Sequence, residues 1–156
     1  MPKTPTPRPR RTTVQIAVLS VLVVVLAAGG LYLALRPNPL SGDWVLSTAT
    51  KDGSTVSAPT GYSAVFDSGG EGMVSSGCGN SLTISTTTTF SGSGATVDSV
   101  ATTLLACDAP TPEDAAVVVA IGTTFAAQST LTVETVDGEL HVGSGGTMLV
   151  YSPASD

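Results

Sequence analysis

Residues 131–143 read Leu131-Thr132-Val133-Glu134-Thr135-Val136-Asp137-Gly138-Glu139-Leu140-His141-Val142-Gly143, two alternating apolar and polar runs joined by Asp-Gly. Period-two alternation is the pattern of a strand with one face on a core, and Asp-Gly suits the two positive φ angles of a type I′ hairpin turn. A two-residue loop puts Val133 opposite Val142 and Thr135 opposite Leu140 on one face, with Glu134 opposite His141 on the other. Register and apolar pattern agree, so the stretch predicts an antiparallel hairpin.

The same signature extends upstream. From Leu40 on, short apolar alternations are separated by Gly, Ser, Asp and Pro clusters about every ten residues, the mark of an antiparallel β domain. Strands are predicted near 43–50, 63–67, 71–77, 82–90, 95–103, 130–136, 139–143 and 147–151. The predicted inward set is Val45, Val65, Leu82, Ile84, Val97, Val133, Leu140, Val142 and Leu149, with Trp44, Phe66, Phe90 and Phe125 around it. This set is bulky enough to fill a small core. Residues 81–103 hold thirteen Ser and Thr, which also suits a glycosylated stalk, but the regular Leu82, Ile84 and Phe90 and the lack of proline favour polar-faced strands. One helix interrupts the strands. Thr111 is its cap, Pro112 its first residue, Glu113 and Asp114 its acidic first turn, and Gly122 its stop after Ile121. The run Val117-Val118-Val119 also fits a strand.

Ahead of this domain, residues 14–35 are 22 residues without a charge. At about 1.5 Å per residue they would span a bilayer core of about 30 Å as a helix. Lys3, Arg8, Arg10 and Arg11 precede the segment and only Arg36 closely follows it, which places the N-terminus in the cytoplasm. The rival reading is a cleaved signal peptide with Ala27-Ala28-Gly29 as its small-residue site, although the apolar run continues to Leu35. Residues 1–13 read as a disordered basic cytoplasmic tail. Residues 36–39 form a Pro-rich spacer. Residues 40–156 form the extracytoplasmic domain.

All twelve carboxylates lie beyond residue 38, against Lys51 alone, a net charge of −11 for that region. Such a surface repels phosphate backbones, which excludes nucleic acid, and favours a basic protein, a cationic peptide or a divalent cation as partner. The chain's other partner is the membrane itself. No catalytic, metal or cofactor constellation is legible. His141 is the single histidine, too few for a usual zinc site, and no Gly-x-Ser-x-Gly elbow is present. Gly69-Gly70 and Gly145-Gly146 separate strands and read as turns, not phosphate cradles. Cys78 and Cys107, expected outside the cytoplasm, suit a disulfide closing 28 intervening residues; two separate buried thiols are the alternative.

Five features recur in order across residues 40–151: Leu40-Ser41-Gly42-Asp43-Trp44, then Phe66, then Ser76-Gly77-Cys78-Gly79-Asn80, then Ala101-Thr102-Thr103-Leu104-Leu105-Ala106-Cys107, then Glu113. This pattern resembles the META-domain family, which includes the heat-inducible HslJ-like envelope proteins of bacteria. The family's motifs are Leu-x-Gly-x-Trp, Gly-Cys-Asn, and Ala-Thr-Thr-x-Met-Ala-Cys before an acidic helix start. Gly79 is an insertion here, Leu105 stands where Met is common, and a transmembrane segment stands in for a lipid anchor. The resemblance implies a small antiparallel barrel-like sheet with one helix packed on it, mainly β in class. It also implies structural roles for Trp44, Gly77, Asn80, Thr102, Thr103 and Glu113, and an envelope or stress-related setting without an enzymatic activity to carry over. The functional expectation is a membrane-tethered binding module, and the alternative is an envelope hydrolase using residues around His141.

Overall fold

The computed structural model describes residues 38–77, 79–88, 93–103, 105 and 111–155. The apolar segment 14–35, both cysteines and Phe90 lie outside the described residues, and so does the end of the predicted strand 82–90. Among the described residues no helix is long and apolar enough to cross a membrane.

Among the described residues of the unit Pro37–Asp156 there are nine strands and one helix: β1 (Gly42–Lys51), β2 (Ser54–Ser57), β3 (Ser63–Phe66), β4 (Glu71–Gly77), β5 (Asn80–Thr88), β6 (Gly94–Thr102), α1 (Pro112–Thr124), β7 (Thr130–Val136), β8 (Glu139–Ser144) and β9 (Thr147–Pro153). All pairings are antiparallel. β1, β3, β4, β5, β6, β7, β8 and β9 neighbour one another in turn, and β9 returns to β1, so eight strands close into a barrel. β2 lies beside the second half of β1.

The 131–143 hairpin forms in the expected register. Val133 faces Val142, Thr135 faces Leu140 and Glu134 faces His141. Asp137 and Gly138 have φ of 52° and 85°, as a type I′ turn requires. Gly145-Gly146 makes a second turn of this kind between β8 and β9. A third, Asp52-Gly53, joins β1 to β2, a strand absent from the sequence-based expectation because Ser-Thr-Val-Ser carries one apolar residue and no usable alternation.

Two predicted inward residues point out: Val45 is 44% and Val65 46% exposed. On β3 the choice lies between burying Ala64 with Phe66 or Ser63 with Val65, and the larger apolar area of Phe66 decides it. On β1, Trp44 and Leu46 face in, and an irregularity between Leu46 and Thr48 then shifts the phase so that Ala49 faces in. A bulge of this kind is invisible to strict alternation. The other seven predicted inward residues are buried, as are Phe66 and Phe125.

α1 starts as expected. Thr111 Oγ1 accepts from the Asp114 N–H, and the Asp114 side chain returns to the Thr111 N–H, a capping box followed by Pro112. It does not stop at Gly122 but runs to Thr124, with Phe125 as its C-cap. Val117, Ile121 and Phe125 enter the core, and the pull of burying Phe125 carries the helix past the glycine. The Phe125 ring lies 6.1 Å from that of Phe66, and Thr124 Oγ1 meets Thr147 Oγ1 at 2.7 Å. α1 thus packs over the end of the barrel where the β8–β9 turn and the β1–β2 turn lie.

Tyr151 is the largest fully buried side chain, and its hydroxyl has no protein partner among the described residues. Burial alone pushes its phenol well above the ordinary range. An orphaned buried hydroxyl costs about 1–3 kcal/mol, so Tyr151→Phe is expected to leave stability unchanged or raise it by about 1 kcal/mol, measured by urea unfolding of the full chain in detergent. A loss of about 1 kcal/mol or more would mean that the hydroxyl is bonded after all.

Candidate functional site

The residues singled out by the family-like motifs take different places in the structure. Leu40 is fully buried, and its carbonyl accepts from Trp44 Nε1 at 2.9 Å. Gly42, with φ of 136°, lies beneath the indole, where an added Cβ would sit 3.1 Å from Nε1. The Leu-x-Gly-x-Trp spacing is therefore a local fold of the chain around one ring. Asn80 Oδ1 accepts from the Leu105 N–H at 2.6 Å, and Asn80 Nδ2 donates to the Leu105 carbonyl at 3.1 Å. Thr103 Oγ1 accepts from the Ser81 N–H at 2.9 Å. Together these bonds hold Thr103 and Leu105 against the start of β5. Thr102 ends β6 opposite Leu82 and is exposed, and Glu113 is exposed in the first turn of α1.

A contact that the sequence did not announce joins this region to the barrel. Tyr62, in the β2–β3 connection, donates its hydroxyl hydrogen bond to Asp114 Oδ1 at 3.0 Å. Gly77, with φ of 82°, passes so close that a Cβ there would lie 2.6 Å from the hydroxyl. Burial, the bond to Asp114 and its negative charge push the Tyr62 phenol up to about 12. Bonds from the Thr111 hydroxyl and from Tyr62 hold the Asp114 carboxyl below its usual range. The phenol is raised in the folded state, so its contribution is intact below the unfolded value of about 10 and is lost as pH climbs from there toward about 12. We expect the near-ultraviolet phenolate signal of Tyr62 to appear only together with alkaline unfolding, well above pH 10, with Tyr62→Phe as control. Reversible ionisation near pH 10 in a folded chain would contradict this placement of Tyr62.

His141 lies on the outer face, half-buried, with Nε2 3.9 Å from Glu139 Oε2. Ser152 donates to Glu139 Oε1 at 3.2 Å and shares a 2.7 Å hydrogen bond with Ser47. The carboxylate therefore sits between hydroxyl and imidazole. A hydrolytic relay needs the imidazole in the middle, so that it can take the hydroxyl proton. Among the described residues no group of three or more His, Cys, Asp or Glu is arranged to hold a metal ion.

An open cleft of about 400 Å3 lies between α1 and the β1–β2 hairpin. Ala49 and Val56 face it from the sheet, and Ala116, Val119 and Ala120 face it from the helix. Lys51, Asp52 and Ser54 supply its polar part. Lys51 Nζ is 4.0 Å from Asp52 Oδ2, a loose surface pair that leaves both groups available. Small side chains facing one another across the hairpin and the helix leave this space, whereas the barrel interior is occupied by large ones such as Tyr62, Phe66 and Tyr151.

No protein-family model matches the sequence, and no curated protein matches it. Solved structures do share its fold. One is an NMR structure of a protein from Burkholderia xenovorans, 17% identical, with a TM-score of 0.57 over 78% of this chain and 91% of that one. Another NMR structure is 16% identical, with a TM-score of 0.54 over 72% of this chain and 89% of that one. Such identities establish a common architecture, the closed barrel with its helix, and nothing about chemistry.

Proposed function

We propose that this chain is a membrane-tethered, non-enzymatic binding domain of META or HslJ-like type. Its basic N-terminus lies in the cytoplasm and its barrel outside, at the cell envelope. The observation that carries the binding reading is a core filled by side chains, in a region of net charge −11 that also carries an apolar cleft. A filled barrel recognises partners on its exterior, and here the complementary partner is basic. The family assignment is supported by the physical roles of the motif residues, with Trp44, Gly42, Gly77, Asn80 and Thr103 each holding a specific turn or segment.

The test uses the full chain in lipid nanodiscs titrated with a lysine-rich peptide. Binding should weaken by about tenfold or more between roughly 0.05 and 0.5 M salt. Protease added to wall-stripped cells should remove the barrel and leave the tail protected. Salt-insensitive binding, a protected barrel, or ester or peptide turnover abolished by His141→Ala would each overturn the corresponding part of this reading.

A further inference from the structure

Beyond its acidic first turn, α1 runs from Ala115 to Gly122 without a polar side chain. From Ala115 to Val133 there is no charged residue, and Val118 and Val119 are 38% and 51% exposed. A helical stretch without a polar face is ordinarily covered on all sides, so Val118 and Val119 mark a face that lacks its cover. Beside it runs β2, which pairs with β1 alone among the described residues.

The hairpin register fixes which backbone groups of β2 are spare. Lys51 faces Ser54 across the two-residue turn, Ala49 faces Val56, and the Ala58 N–H bonds the Ser47 carbonyl at 2.9 Å. In an antiparallel pair the hydrogen-bonded residues alternate, so Ser54, Val56 and Ala58 bond to β1 while the N–H and C=O of Thr55 and Ser57 point away from it. Both residues are exposed. Natural edges are commonly blunted by charge or proline, yet no charged residue occurs from Gly53 to Phe66, and Pro59 comes only after the strand has ended.

The side chains of Ser54 and Val56 line the cleft over α1. A strand added along Thr55 and Ser57 would send its alternate side chains to that same face, into the space above Val119. Charge sets the ends of such a segment: Asp52 borders the cleft on one side beside Lys51, and Glu113 and Asp114 precede Ala115 in the first turn of α1, three carboxylates against one ammonium.

We propose that β2 is a docking edge for an extended peptide segment of a partner protein, with small aliphatic residues at alternate positions and basic residues at its ends. The backbone of the segment pairs with Thr55 and Ser57, and its aliphatic side chains occupy the cleft. This deepens the reading of an acidic binding domain and rests on it.

The probe is the capped peptide Lys-Val-Thr-Val-Ala-Val-Lys, titrated against the full chain in nanodiscs. Binding should slow hydrogen exchange at the Thr55 and Ser57 amides by about tenfold or more. Methylating alternate peptide nitrogens should weaken binding by about tenfold, and so should Thr55→Pro, because an outward-facing edge position accepts proline without loss of the barrel. Val119→Asp, at an exposed position, should weaken binding while leaving unfolding unchanged. Equal binding by the methylated peptide, or unaltered exchange at Thr55 and Ser57, would overturn the docking edge. Displacement of the peptide by dodecanoate without exchange protection would make the cleft an acyl-chain site and overturn it as well. Salt-sensitive binding that survives Thr55→Pro would leave the acidic-surface reading standing and remove this one.

Discussion

Gly70→Ala should lower the stability of the barrel by about 2–6 kcal/mol, the largest effect we expect from adding no more than one methyl group. Gly70 has φ of 94°, where a side chain costs about 1–3 kcal/mol. An alanine Cβ there would also lie 2.3 Å from the Thr86 carbonyl oxygen, a backbone atom that cannot swing aside. Overpacking of that kind costs about another 1–3 kcal/mol. The position is also a polar junction. Thr86 bonds the Gly70 carbonyl through both its N–H (2.9 Å) and its hydroxyl (3.0 Å), and Asn38 Nδ2 reaches the same hydroxyl at 3.4 Å. Displacing Gly70 therefore loosens the point where the chain enters the barrel. Gly53→Ala is the control, because Gly53 has φ of 82° with nothing nearby and so reports strain alone. Urea unfolding of the full chain in detergent, followed by the fluorescence of its single tryptophan Trp44, measures both. Equal losses for the two variants would show that the close approach at Gly70 is relaxed in solution.

Breaking a Cys78–Cys107 bridge should cost about 3–4 kcal/mol by the chain-entropy estimate for the 28 residues it would enclose. Both cysteines lie outside the described residues, but their neighbours are held together. The Asn80 side chain, two residues after Cys78, bonds both the N–H and the carbonyl of Leu105, two residues before Cys107. Mass spectrometry of non-reduced peptides, from envelope protein alkylated at lysis, should show the pair linked. Cys78→Ser and Cys107→Ser should each lower stability by the same amount as reduction. Free thiols at lysis would dismiss the bridge, and unequal losses in the two variants would point to two separately packed side chains.

The sequence by itself determined the elements whose signals are local. The 131–143 hairpin was legible down to its register because Asp137-Gly138 fixes the turn and a one-residue slip would expose Val133 and Val142. The start of α1 was legible because Thr111, Pro112 and Asp114 satisfy the helix's own first N–H groups without outside help. Asp52-Gly53 carried the same turn signal, but the short polar β2 gave it no apolar run to flank. Tertiary structure alone decided which side of β1 and β3 faces in, where α1 ends, and that Tyr62 meets Asp114 across 52 positions of chain. Each of these choices compares the burial of groups far apart in sequence: Phe66 against Val65, and Phe125 against the stop at Gly122. The candidate docking site belongs to this second kind. Its residues carry no signal of their own in the sequence, and only the pairing of β9 with β1 that closes the barrel leaves the outer edge of β2 beside the exposed Val119.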